Sequence, residues 1–238
     1  MKHFIITRFN YAPDYKYLPE RIKLFEQYTL PSLQKQTNKN FMLVVLGKPD
    51  IRIEGIQHIF LEWKENEGGH YVKPLVDFLK DCSTKDGIIL TSRVDNDDMY
   101  LPNYVETVQK IAETENVRLP YLIEQKGYWY DKRVEKYYTN ERYRANLTSP
   151  FLSMVEKGTY NTVFLANHSK MGKRFPVIFS ENYGWIQIIH KTNQLMNKIP
   201  VGQLEGKEVK SEIINETIII PKTKEAKGRG DHKEQQIP

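Results

Sequence analysis

The sequence predicts an α/β fold, a largely parallel sheet with helices on both faces. Two observations predict it. Short, largely apolar runs recur in the first half of the chain, at 3–7, 41–46, 56–62 and 87–92, and segments with apolar residues at helical spacing stand among them. Strands buried on both faces read as continuous apolar runs, and their alternation with helices gives parallel neighbours.

His3-Phe-Ile-Ile-Thr7 is the opening strand, and Pro13 and Asp14 mark the loop after it. A helix starts at Pro19, with Ile22, Leu24, Phe25 and Tyr28 at roughly helical spacing. Pro31 interrupts this pattern and starts a second short helix, since proline is tolerated in a first turn. Phe41 to Leu46 is the second strand, ended by Gly47 and Pro49, and Ile56 to Glu62 is the third. Gly68-Gly69 opens a loop, 71–81 form a helix, and Gly87-Ile-Ile-Leu-Thr-Ser92 is the next strand. A further helix runs from Pro102 to about Glu115. Residues 120–138 then interleave aromatic and charged residues, the pattern of antiparallel strands with one wet face. One more strand is expected at 151–156 and a helix at 159–170. From about Ile220 the chain has no apolar face, so 221–238 read as a disordered basic tail.

A length of 238 residues is that of one domain, and 12% aromatic content speaks against general disorder. Cys82 is the only cysteine, so neither an internal disulfide nor a cysteine zinc site can form. No apolar run approaches the ~20 residues of a membrane span. The opening run, closed by Arg8, is too short for a signal peptide, so a cytoplasmic chain is expected. The net charge of +5 suits a phosphate-bearing ligand, a nucleic acid or an anionic lipid alike. Fifteen tyrosines suit either a site for polar ligands such as sugars or a core boundary wet at one end.

The segment Thr91-Ser-Arg-Val-Asp-Asn-Asp-Asp-Met99 carries the chemistry. Asp95, Asp97 and Asp98 crowd the C-terminal end of an apolar strand, which is where open α/β sheets bind ligands. Clustered carboxylates repel one another and call for a positive partner. A hard divalent cation such as Mg²⁺ or Mn²⁺ meets that need, and it would also bind a diphosphate. Arg93 can pair with a carboxylate or reach a phosphate. The alternative is a solvated acidic loop, or caps for the helix near Pro102.

This strand and acidic loop resemble the Asp-x-Asp motif of glycosyltransferases with the GT-A fold. The chain resembles in particular the putative rhamnosyltransferase family of that class. Four segments carry the likeness: Thr7-Arg8-Phe9-Asn10, Tyr28-Thr-Leu-Pro-Ser-Leu-Gln-Lys-Gln-Thr37, Ser92-Arg-Val-Asp-Asn-Asp-Asp98, and Gly184-Trp-Ile-Gln-Ile-Ile-His-Lys-Thr-Asn193. The resemblance implies a GT-A-like (Rossmann-like) sheet. Residues 1–118 would form the nucleotide-sugar-binding half, and 119–220 the acceptor-binding half of the same domain. It implies a transferase of polysaccharide biosynthesis, moving a sugar from a nucleotide-diphosphate donor to a glycan or other hydroxyl acceptor. The sugar would be a deoxyhexose such as rhamnose by the family name, the cofactor Mn²⁺ or Mg²⁺, and nucleic acid no partner. It places Arg8, Phe9 and Asn10 beside the nucleotide, Glu62 near the base, and Asp95 and Asp97 on the metal and donor sugar. His190 falls where such enzymes supply a late metal or diphosphate ligand.

Taken alone, His190 reads equally as a core histidine. Bulky Tyr183, Trp185, Ile186, Ile188 and Ile189 anchor its segment, so His190 is expected in a fixed place close to Asp97. Direct displacement at the anomeric carbon needs a carboxylate beside the acceptor hydroxyl. Glu156 and Glu181 are the candidates, and a retaining outcome would need neither. Two other readings stand beside this one. A metal-dependent nuclease would use Asp97 with Glu124-Gln-Lys126, but Glu-x-Lys occurs five times here and one match is expected by chance. A non-catalytic sugar- or nucleotide-binding module would keep the tyrosines and acidic loop without turnover.

Overall fold

A computed structural model describes residues 1–9, 17–62, 72–82, 87–140, 148–193, 204, 206–211 and 214. Asn10, the loop at Pro13 and Asp14, Gly68-Gly69 and the tail at 221–238 lie outside the described residues.

The largely apolar runs form the parallel centre of the sheet. β1 (Lys2–Arg8), β2 (Met42–Leu46), β3 (His58–Leu61) and β4 (Ile88–Arg93) lie in the order β4-β1-β2-β3, each pair parallel. Strand β1 shows why its run is unbroken. Ile5 packs into one apolar cluster, and Phe4 and Ile6 into another, because successive side chains of a strand point to opposite faces. With Ile5 lie Phe25, Leu30 and Leu33 from the helical run after β1, and Tyr104, Val105 and Val108 of a later helix, Tyr104–Thr114. With Phe4 lie Leu75 and Leu79 of the helix Val72–Cys82. Helices therefore cover both faces, as expected.

The second half extends this sheet. β6 (Tyr121–Asp131) and β7 (Lys136–Thr139) form an antiparallel pair, and β8 (Ser153–Lys157) lies antiparallel between β6 and β4. β9 (Val177–Ile189) runs parallel to β6, and its middle pairs with the short β5 (Met99–Tyr100). β10 (Glu208–Val209) pairs with β7. The result is one mixed sheet with a parallel core.

Three local features differ from the expectation. First, α1 (Leu18–Leu24) and α2 (Leu30–Gln34) are one continuous helical run, joined through a π-helical turn at Phe25–Thr29. Pro31 brings no N–H, and the wider turn before it, closed from Leu30 N–H to Phe25 O, absorbs the interruption. Second, β5 and β9 were not legible as strands, and β9 is 13 residues long. Third, the helix expected at 159–170 is a loop with one helical turn, His168–Met171. The Glu156 carboxylate accepts N–H groups of Asn161 (2.6 Å) and Thr162 (2.9 Å) and the Thr159 hydroxyl (2.8 Å). Tyr160 and Thr162 stand at φ of 52° and 61°, which a right-handed helix does not allow. No helix among the described residues is long and apolar enough to cross a membrane.

Candidate active site

The strand order creates a switch point. From β1 the chain moves outward through β2 to β3, then returns to the other side of β1 for β4. In such sheets the helices leave a crevice where the order reverses, beyond the carboxyl ends of the strands. Here Arg8 ends β1, and Arg93 ends β4 and runs into the acidic turn.

The turn is fixed by its own backbone and by the strands. Val94 N–H bonds Ile6 O at 3.1 Å, and Asp98 N–H returns to Asp95 O at 3.2 Å. Tyr100 donates its hydroxyl to Arg93 O at 2.6 Å from beneath. The three aspartates then part company. Asp95 is clamped by Arg93, whose Nη2 lies 2.9 and 3.3 Å from its two oxygens and whose Nε is 3.2 Å from the nearer one. Burial alone would raise the Asp95 carboxyl, but the charges of Arg93 and Arg8, with the Arg93 hydrogen bonds and His168, hold it below its ordinary value. Asp98 turns inward and accepts Ile188 N–H at 2.8 Å, tying the turn to β9. Burial, followed by the charges of Asp97 and Asp95, pushes Asp98 well up, against the opposing pull of that hydrogen bond and Arg21.

Asp97 is the meeting point. Its Oδ2 is contacted by the Arg21 guanidinium from α1, by His190 Nε2 at 2.9 Å and by Asn193 Nδ2 at 3.3 Å. Asp97 and His190 are each only 4% exposed. The loop after β9 is self-bonded: His190 N–H donates to Asn193 Oδ1 at 2.6 Å, and Thr192 meets His190 Nδ1 through its hydroxyl at 3.0 Å. A histidine braced on one nitrogen presents the other in a fixed direction.

Next to this corner lies a cationic face. The Arg93 and Arg8 guanidiniums stand 5.1 and 5.8 Å from the centre of the Phe164 ring. His168 Nδ1 is 2.9 Å from Thr148 O. Burial lowers the His168 pKa; the Thr148 bond and Asp95 oppose this, and the Arg93 and Arg8 charges reinforce it. The two guanidiniums at the carboxyl ends of β1 and β4 can offset the charge of a diphosphate, and the imidazole can hydrogen-bond it.

Among the described residues, no three His, Cys, Asp or Glu side chains form a metal-holding group by themselves. Asp97 Oδ2 and His190 Nε2, however, are spaced like adjacent corners of an octahedron with ~2.1 Å bonds, and Mg²⁺ is commonly held by one or two carboxylates together with substrate phosphates. Imidazole with carboxylate also suits Mn²⁺. A cation here would take the place of the direct His190–Asp97 hydrogen bond and complete its shell with a phosphorylated ligand and water.

Other residues singled out in the sequence lie elsewhere. Phe9 is a core residue, 4% exposed and edge-on to Phe25 at 5.0 Å, so it does not face a nucleotide. Asn10 lies outside the described residues. Glu62 sits at the same sheet edge, at the end of β3, paired on the surface with Lys48 at 2.5 Å. Glu156 is opposite Ile89, at the far end of β4 from the acidic turn, and is consumed by the loop bonds described above. A carboxylate there cannot reach an acceptor at Asp97. Glu181 projects outward to Lys126, and Lys126 lies six residues along β6 from Lys132, the residue level with His190, about 20 Å at the ~3.3 Å rise of a strand. Glu124 points inward and accepts Ser149 N–H and hydroxyl at 2.9 and 2.5 Å, while Lys126 bonds Glu181, so the nuclease constellation is not assembled.

Sequence reasoning missed Arg21, Phe164 and His168. Arg21 is an ordinary arginine on a helix, and only the path of α1 across the β4 edge brings it to Asp97. Phe164 and His168 lay in a stretch read as helix.

Fold and site together define an α/β protein whose ligand edge pairs an acidic turn with a cationic face. The family model described as "Putative rhamnosyl transferase" matches residues 5–201, and the chain belongs to that family of glycosyltransferases. The search of curated proteins returns no match. Among solved structures, S. aureus TarS 1-349 is similar with a TM-score of 0.46 and 13% identity, over 79% of this chain and 60% of that one. A longer S. aureus TarS structure gives a TM-score of 0.46 and 14% identity, over 80% of this chain and 37% of that one. The chain thus spans less than two thirds of either protein.

Proposed function

We propose that the protein transfers a sugar from a nucleotide-diphosphate donor to a hydroxyl acceptor, with a divalent cation held at Asp97 and His190. The observation that carries this reading is the convergence on Asp97 of His190 and Asn193, beside the Arg8 and Arg93 face. In the reaction the anomeric carbon's bond to the donor phosphate breaks, a bond to the acceptor oxygen forms, and the proton of the acceptor hydroxyl passes to the departing diphosphate. Arg8 and Arg93 offset the charge left on the departing diphosphate. Asp95, kept ionised by Arg93, accepts hydroxyl groups of the donor sugar. Asn193 and Arg21 hold the Asp97 carboxylate in one orientation. A bound cation would supply Lewis-acid stabilisation of the diphosphate. Rhamnose as the donor sugar, a place in polysaccharide biosynthesis and a glycan acceptor are parts of this proposal suggested by the family.

The test is release of nucleoside diphosphate from a panel of uridine, thymidine and guanosine diphosphate sugars. One of these should be hydrolysed slowly, and faster with Mn²⁺ or Mg²⁺. Asp97→Ala should remove nearly all of the metal-stimulated rate and keep the fold. Wild-type turnover in Asp97→Ala would reduce the acidic turn to a structural feature, and no release from any donor would favour a binding module.

A further inference from the structure

A second concavity lies on the other side of β5 from the acidic turn. It has a volume of about 430 Å³, within the ~300–1,000 Å³ of ligand sites. Leu101 and Pro102 form part of its wall, with Asn103, Tyr128, Asn182 and Tyr183 around them. Three features set its chemistry. No charged side chain lines it among the described residues. Tyr128 and Tyr183 stack at 4.3 Å and 11°, giving a flat aromatic wall. The Asn103 and Asn182 amides and the two tyrosine hydroxyls make no hydrogen bond to another described side chain or backbone group. Asn103 occupies the N-cap position of the helix Tyr104–Thr114 and yet its side chain does not cap. Asparagine in that position normally turns back to the helix.

We infer that this groove is a subsite for a neutral glycan, the part of an oligosaccharide acceptor remote from the hydroxyl that reacts. A sugar ring offers apolar C–H faces to an aromatic wall and hydroxyls to amides and phenols, the groups present here. A diphosphate needs cations, and the nearest one, Lys126 at 5.9 Å from the centre of the Tyr183 ring, is paired with Glu181 rather than part of the lining. Position supports the assignment. Leu101 is bonded to Gly184 O at 2.8 Å, and Gly184 lies six residues before His190 along β9, so the groove starts about 20 Å from His190 at the ~3.3 Å rise of a strand. That is too far for the sugar being transferred and within reach of an acceptor several residues long. The inference rests on the transferase reading for the occupant's role, and on the groove alone for its binding.

Saturation-transfer NMR on the full chain tests it. The probes are maltotriose, mannotriose, chitotriose and a rhamnose trisaccharide, each with its monosaccharide. At least one trisaccharide should receive saturation, more strongly than its monosaccharide, without any nucleotide present. The double variant Asn103→Ala, Asn182→Ala should weaken that binding about tenfold, the effect of losing two ordinary hydrogen bonds. Both amides are exposed and unbonded within the chain, so the variant should fold. Tyr183→Ala should abolish the signal. Nucleoside diphosphate binding, followed by thermal shift, should be unchanged in the double variant. No signal from any trisaccharide, or equal signals from wild type and the double variant, overturns the subsite. A trisaccharide signal without nucleoside diphosphate binding leaves the subsite standing and removes the donor reading instead.

Discussion

At the scale of single residues, the acidic turn shows how little a cluster of like residues says about the work of each member. Asp95, Asp97 and Asp98 look equivalent in the sequence, yet they meet an arginine, a histidine with an arginine, and a backbone N–H. The cluster and His190 were legible because a polar group at the end of a bulky apolar run has few places to go. Arg21 was not, since its partner is 76 residues away and nothing local distinguishes it. Glu124 yields a prediction at this scale. Burial raises its carboxyl from an ordinary 4.5 to about 7, against the hydrogen bonds from Ser149. The folded protein therefore binds this proton more tightly than the unfolded chain. The associated stability is full below pH 4.5 and lost as pH rises through 7. Glu124→Gln cannot ionise, so its urea midpoint should fall less than wild type between pH 5 and 8. Parallel pH profiles would mean that Glu124 keeps its proton in neither state over this range.

At the scale of elements, β9 was the least legible part of the fold. Its interior carries Ser180-Glu-Asn182, which breaks the apolar pattern, and a register shift against β6 lies at the same place. Periodicity fails where a strand bulges, because one added residue exchanges the faces. The opening strands are legible to within two residues, and most sharply in β1, β2 and β4, whose two faces are both buried so that no alternation is needed. The β6–β9 seam also makes a ranked prediction. A Cβ on Gly127 would lie 2.1 Å from Trp185 Cδ2, and that indole is stacked on Phe151 and bonded to Gln125 O, so it cannot yield. A Cβ on Gly184 would graze the Tyr104 ring at 2.9 Å and meet Gln125 Oε1 at 2.0 Å, in an amide that no hydrogen bond holds. Gly127→Ala should cost about 1–3 kcal/mol or more in urea unfolding, and Gly184→Ala less. The reverse order would show that the indole moves more easily than the amide.

At the scale of the whole molecule, the position of the site follows from strand order. Parallel pairing on both sides of β1 puts Arg8 and Arg93 at one edge, and β9, parallel to β6 and so to β4, delivers His190 there from its own C-terminal end. A fold that assembles a ligand edge from segments so far apart should be stabilised as a unit by the ligand. A nucleotide sugar at about 100 times its dissociation constant should add ~2.7 kcal/mol and raise the thermal midpoint, with metal present. A rise with no member of the donor panel would count against nucleotide-sugar binding. The central claim is that Asp97 and His190 hold the cation that carries the donor, and Mn²⁺ titration followed by electron paramagnetic resonance tests it most directly. In the presence of nucleoside diphosphate, wild type should bind one ion, and Asp97→Asn and His190→Gln should each weaken binding at least about tenfold, as loss of a ligand or its partner does, with thermal midpoints near wild type. Equal Mn²⁺ affinity in all three proteins would contradict the account and leave the diphosphate to Arg8 and Arg93 alone.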